Sequence, residues 1–74
     1  MTAQPQQVNL TEREREVAFW VANDLSDKEI ARKMQVHEKT VKNHAGKARY
    51  KLKLQSRVGL ALWYAQHYGF PKVL

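Results

Sequence analysis

The stretch from Ser26 to Leu54, SDKEIARKMQVHEKTVKNHAGKARYKLKL, carries two helical patterns separated by a short break. Ser26 is a strong N-cap residue, and Glu29, three residues on, completes a capping box by returning a hydrogen bond to the cap N–H. Ile30, Ala31 and Met34 then recur at helical spacing and form one apolar stripe. The step Met34-Gln35-Val36 leads into a second helix that starts near His37. In that helix Val41, Ala45, Ala48 and Leu52 stand at i, i+4, i+7 and i+11, the spacing of a buried face. At about 100° per residue, the opposite face carries Lys39, Lys42, Asn43, Gly46, Lys47 and Tyr50. An apolar back and a front of lysine, asparagine and tyrosine suit the major groove of DNA.

Charge is distributed to match. The net charge of the 74 residues is +6, and all 7 acidic residues lie at or before Glu38. Lys39 to Leu74 holds eight Lys or Arg and no acid, so the second half is +8 and the first half −2. A lysine-rich helix can simply be a solvated surface, but here the basic side chains follow the front of the second helix of the pair. A polyanionic partner is the expectation.

Before this stretch, residues 1–9 (MTAQPQQVN) show no apolar period and are expected to form a flexible polar leader. With no Lys or Arg, that leader would make a poor minor-groove arm. Thr11 and Glu14 repeat the capping-box pattern, with Leu10 in the staple position ahead of them. Glu12, Glu14 and Glu16 suit the positive end of a helix dipole. Val17, Val21 and Trp20 are the expected core face of this first helix, and Asp24 ends it by tolerating a left-handed backbone. Phe19 beside Trp20 makes the helix apolar around more of its circumference than one core requires.

After the stretch, Ser56 caps a last helix that Gly69 is expected to stop and Pro71 to keep from restarting. Val58, Ala61, Tyr64, Ala65 and Tyr68 are the expected core side, with Leu60 and Leu62 on the flanks and Gly59, Trp63 and His67 opposite. The helix is apolar nearly all round, which calls for a second surface to pack against. A second copy of the chain is the expected occupant, through Gly59, Leu62, Trp63, Gln66 and His67. Trp63 is the expected anchor, with a shallow space at Gly59, one turn earlier, for a partner's ring; the alternative is a rotated helix in which Trp63 closes the core of its own chain. The four helices are expected at about 11–23, 27–34, 38–53 and 57–68, in one all-α domain over residues 10–74.

Four motifs in order, LTEREREV at 10–17, KEIA at 28–31, KTVKNH at 39–44 and SRVGLALW at 56–63, resemble the LuxR/GerE-type helix-turn-helix domain. The resemblance covers residue 10 to about residue 69. It implies a four-helix DNA-binding domain whose third helix enters the major groove and whose fourth commonly mediates dimerisation. By position, Lys42 and Asn43 match places that touch base edges. Lys39, Thr40 and Lys47 match the flanks, where phosphate contacts are usual, and Ser26, Asp27 and Lys28 approach the DNA backbone. Val41 matches a core position that sets the angle of the helix. The chain departs from the pattern at His37, where relatives commonly have a Ser cap, and at Ala18 and Phe19, where Leu and a polar residue are usual. It departs again at Gly46, a groove-facing position that usually bears a larger side chain. The resemblance further implies a cytoplasmic, nucleoid-associated regulator, either standing alone or as the C-terminal domain of a longer one. RNA polymerase or a larger relative would be further partners.

Other chemistries lack their residues. Cysteine is absent, and His37, His44 and His67 have neither metal-ligand spacing nor acidic company, so no metal site or cofactor is expected. No run approaches the roughly 18–20 apolar residues of a membrane span. No nucleophile with its base, and no phosphate-binding glycine loop, supports an enzyme. Tyr50 reads equally as a phosphate hydrogen-bonder or a packing residue. Two functions follow. One is a sequence-specific, dimeric transcription regulator. The other is an interaction module that pairs with a larger relative through the last helix or the Phe19 face and titrates it.

Overall fold

The computed structural model describes residues 9–69, which form α1 (Glu12–Ala22), α2 (Asp27–Met34), α3 (Glu38–Leu52) and α4 (Arg57–Tyr68). No strand occurs among the described residues, and the fold is all-α with four helices. Each helix lies within one residue of its expected bounds. Residues 1–8 of the expected leader, and Pro71 as the barrier to restart, lie outside the described residues.

The helix starts are set by side chains. The Thr11 hydroxyl accepts from the Glu14 N–H at 3.1 Å while Glu14 Oε1 accepts from the Thr11 N–H at 2.9 Å. Ser26 and Glu29 repeat the exchange at 3.1 and 2.8 Å, and these bonds to Ser26 hold the Glu29 carboxyl below its ordinary range. Ser56 Oγ accepts from the Gly59 N–H at 3.0 Å. His37 makes no side-chain cap bond, so α3 starts without the help that a Ser, Thr, Asp or Asn cap supplies.

The ends of α1, α2 and α3 share one device. Asp24, Gln35 and Lys53 are left-handed, with φ of 66°, 59° and 59°. In each case the next residue donates its N–H back to a carbonyl five positions earlier: Leu25 to Trp20, Val36 to Ala31 and Leu54 to Arg49. This is the Schellman arrangement, which satisfies orphan carbonyls and turns the following apolar residue inward. Leu25, Val36 and Leu54 accordingly pack against the core. A left-handed non-glycine residue costs about 1–2 kcal/mol, and the bonds and apolar contacts of each motif offset it.

α3 touches all three other helices, and α1 packs chiefly on α3 and α4. Val17, Ile30, Val41 and Leu60, one from each helix, are the largest fully buried side chains. Burying each contributes about 1.5–3 kcal/mol. Ala18, Ala45 and Ala48 are buried between them, where small side chains let helices approach closely.

The rotation of α4 departs from expectation. Leu60, placed on a flank by sequence, is fully buried, whereas Val58, placed in the core, is 66% exposed and Tyr68 is 56% exposed. Trp63 does not point away from the monomer: it packs against the core cluster, beside Leu10, Arg15 and Leu52. The space beside Gly59 is not open to a partner's ring either, because a Cβ there would meet Ser56 Oγ at 3.5 Å and Leu54 Cβ at 3.6 Å. The physical reason is that a helix apolar all round has no phase of its own. Arg57 supplies one, holding Asp27 Oδ1 at 2.7 Å and the Leu25 carbonyl at 2.6 Å.

Candidate nucleic-acid interface

The back of α3 is anchored before its front can be used. Val41 and Ala48 are fully buried and Ala45 nearly so, which fixes the rotation of the helix against α1 and α2. Lys39, Lys42, Asn43 and Lys47 are therefore exposed, and Thr40 and Gly46 half-exposed. Tyr50 is 86% exposed, so of its two readings packing is the one the structure removes. Lys42, Asn43, Gly46, Lys47, Tyr50 and Lys51 line one shallow, open groove.

The front is electrostatically unsatisfied. Three ion pairs occur among the described residues: Arg13–Glu16, Lys51–Glu14 and Arg57–Asp27. None involves Lys39, Lys42 or Lys47. Ammonium groups left to water keep their full charge for an incoming anion. Ser26 and Lys28 are exposed at the start of α2. The Ser26 hydroxyl accepts from Glu29 yet keeps its own proton to donate, at a helix end whose dipole favours negative charge. Through Arg57 and Asp27 this end of α2 is tied directly to α4.

The five residues expected at a subunit interface differ in burial: Leu62, Gln66 and His67 are exposed, Gly59 and Trp63 half-buried. Leu62 (54% exposed) and Gln66 lie on the outer face with Val58, whereas Trp63 is turned inward. His67 is exposed, its ring 4.6 Å from that of Trp63 and its Nδ1 3.0 Å from the Trp63 carbonyl oxygen. Phe19 is half-buried against Trp20 and Tyr64 of its own chain, at ring separations of 4.8 and 5.8 Å. Burial, and next to it Tyr68, pushes the Tyr64 hydroxyl above its ordinary range.

Lys51 was missed by sequence reasoning. It lines the groove, but its Nζ is held by Glu14 Oε1 at 2.8 Å and the Asn9 carbonyl at 3.3 Å. Glu14 already accounts for itself as a capping residue, so nothing in the sequence signals a partner 37 positions away. Among the described residues no group of three or more His, Asp or Glu could hold a metal ion. No described helix is long and apolar enough to cross a membrane.

Residues 8–64 match the family model described as bacterial regulatory proteins, luxR family. The chain belongs to that family. It is a helix-turn-helix DNA-binding domain of the kind found in transcription regulators. It is 44% identical over 57 residues to the nitrate/nitrite response regulator protein NarL of Escherichia coli (strain K12), covering 77% of this chain and 26% of NarL. Over 48 residues it is 46% identical to the spore germination protein GerE of Bacillus subtilis (strain 168), covering 65% of each. The transcriptional regulatory protein LnrK of the same organism is 42% identical over 62 residues, covering 84% of this chain and 28% of LnrK. The chain thus spans about a quarter of the length of NarL and LnrK and about two thirds of GerE.

Proposed function

We propose that the chain binds double-stranded DNA sequence-specifically as a homodimer, with α3 of each copy in a major groove. The observation that carries this reading is the α3 front, where Lys39, Lys42, Asn43 and Lys47 are exposed and the three lysines have no ion pair among the described residues, behind which Val41, Ala45 and Ala48 hold the helix in place. Lys42 and Asn43 read base edges. Lys39, Thr40, Lys47 and Tyr50 neutralise or hydrogen-bond flanking phosphates, and Ser26 and Lys28 meet the backbone at the start of α2. Base contacts specify and phosphate contacts position, so the two groups have different consequences when removed.

The subunit contact we assign to the outer face of α4, Val58 with Leu62 and Gln66, in place of Trp63. Apolar side chains this exposed on a small domain favour association with a matching surface, and a two-fold axis makes the surface its own partner. Paired α3 helices would then meet successive major grooves about one turn, roughly 34 Å, apart and select a palindromic site.

Selection of bound duplexes from a random pool, repeated with Lys42→Ala, Asn43→Ala and Lys47→Ala, tests the assignment. Asn43→Ala is expected to lose preference for an adenine, read through N6 and N7, at a cost of about 1–3 kcal/mol. Lys42→Ala should likewise alter the selected sequence. Lys47→Ala should weaken every sequence alike. Identical selections by wild type and Asn43→Ala would refute the base-reading role.

A further inference from the structure

Gly46 lies in the interior of α3, where glycine weakens a helix. Neither backbone conformation nor packing among the described residues accounts for it. Gly69 is the glycine with positive φ among the described residues, so Gly46 is not needed for an unusual backbone. A Cβ built on Gly46 would meet nothing within 4 Å, so it is not needed for close packing either. Its side-chain direction opens into the groove bounded by Lys42, Asn43, Lys47 and Tyr50. The open side of Gly46 is the side on which the proposed DNA contact lies.

The chemistry of the notch narrows what fills it. Within a helix the backbone N–H and C=O groups bond to one another, so Gly46 offers no hydrogen bond to a base. What remains is apolar: the Cα itself and the hydrocarbon stems of the surrounding lysines. Among the groups that base pairs present in the major groove, the apolar one is the thymine 5-methyl. An A·T pair also carries the adenine N6 and N7 atoms that suit Asn43, one helical turn from Gly46 on the same face. We propose that Gly46 is a specificity-determining residue whose missing side chain leaves a notch for the 5-methyl group of a thymine. This rests on the proposed placement of α3 in the major groove and adds a base preference to it.

The test uses duplexes selected by the 74-residue chain, with each thymine of a half-site replaced in turn by deoxyuridine, which lacks only the methyl group. At one thymine per half-site the replacement should lower wild-type affinity about four-fold, the worth of one buried methyl. Gly46→Ala should fold, melt at a higher temperature than wild type and bind the thymine duplex more weakly. On the deoxyuridine duplex its loss should be smaller, so that the thymine preference shrinks or reverses. Indifference to every deoxyuridine replacement, an unchanged thymine preference in Gly46→Ala, or failure of Gly46→Ala to fold would each overturn the notch while leaving DNA binding intact. Failure of the wild type to select any duplex would instead overturn the DNA-binding reading on which the notch depends.

Discussion

Glu14 shows how one side chain ties the domain's entry to the end of α3. Its Oε1 accepts from the Thr11 N–H and from Lys51 Nζ, and the residue is 2% exposed. Burial alone would push the carboxyl up, but the Lys51 hydrogen bond, the Thr11 bonds and the Lys51 charge outweigh it and hold the group below its ordinary value of about 4.5. A carboxyl depressed in the folded state stabilises fully above its unfolded value, and the contribution vanishes as pH falls through the folded one. Glu14→Gln should therefore cost about 1–2 kcal/mol at neutral pH, because Lys51 is only partly shielded from water. The difference should shrink as pH falls below 4.5 and through the depressed folded-state value, where the wild-type carboxyl takes up its proton as well. Thermal melts at pH 7, 5 and 3 check this, and a difference that stays constant across the three would contradict it.

At the level of the element, α4 has two apolar faces with different work to do. The inner face, centred on Leu60 with Trp63 and Tyr64 beside it, closes the core over α1. The outer face carries Val58 and Leu62, both exposed. Leu60→Ala should cost about 2–5 kcal/mol, most of what a core this small supplies, and leave the domain largely unfolded by circular dichroism. Leu62→Ala should change stability by no more than about 0.5 kcal/mol, yet shift sedimentation from dimer towards monomer. A Leu62→Ala protein that stays dimeric would remove α4's outer face from the interface. One that unfolds would mean the outer face belongs to the core.

For the whole molecule the governing quantity is charge per contact surface. In the proposed complex the acid-free half of the sequence and the three α3 lysines, which have no ion pair among the described residues, act together on an anionic duplex. If a dimer neutralises about 6–10 phosphates, log K should fall against log salt with a slope near −0.9 per contact, or about 10³–10⁵ in affinity between 50 and 200 mM. Lys47→Ala should flatten the slope by about two units per dimer, one for each copy, whereas Asn43→Ala should leave it unchanged. Fluorescence anisotropy at a series of salt concentrations measures both, and an affinity independent of salt would contradict the electrostatic account.

Local chemistry was sufficient wherever a signal acts over three or four residues. The capping boxes at Thr11 and Ser26, the Ser56 cap, the left-handed Asp24 and the spacing of Val41, Ala45 and Ala48 are all short-range patterns, and each appears in the fold. The α3 front follows from them, because burying one face of a helix exposes the other. Gln35 and Lys53 were not legible as left-handed turns, since neither is the Gly or Asn that marks one; the apolar residue that follows each had to find the core first. Nor was the rotation of α4 legible. An almost wholly apolar helix carries no preferred phase, and its phase depends on Arg57 reaching Asp27 and Leu25, some 30 residues away. The pairing of Lys51 with Glu14 is of the same kind. What the sequence by itself determined was therefore each helix, its start and, for α3, its outward face. Tertiary structure alone decided which side of α4 is free and which basic groups are already engaged, because both rest on contacts between residues far apart in the chain.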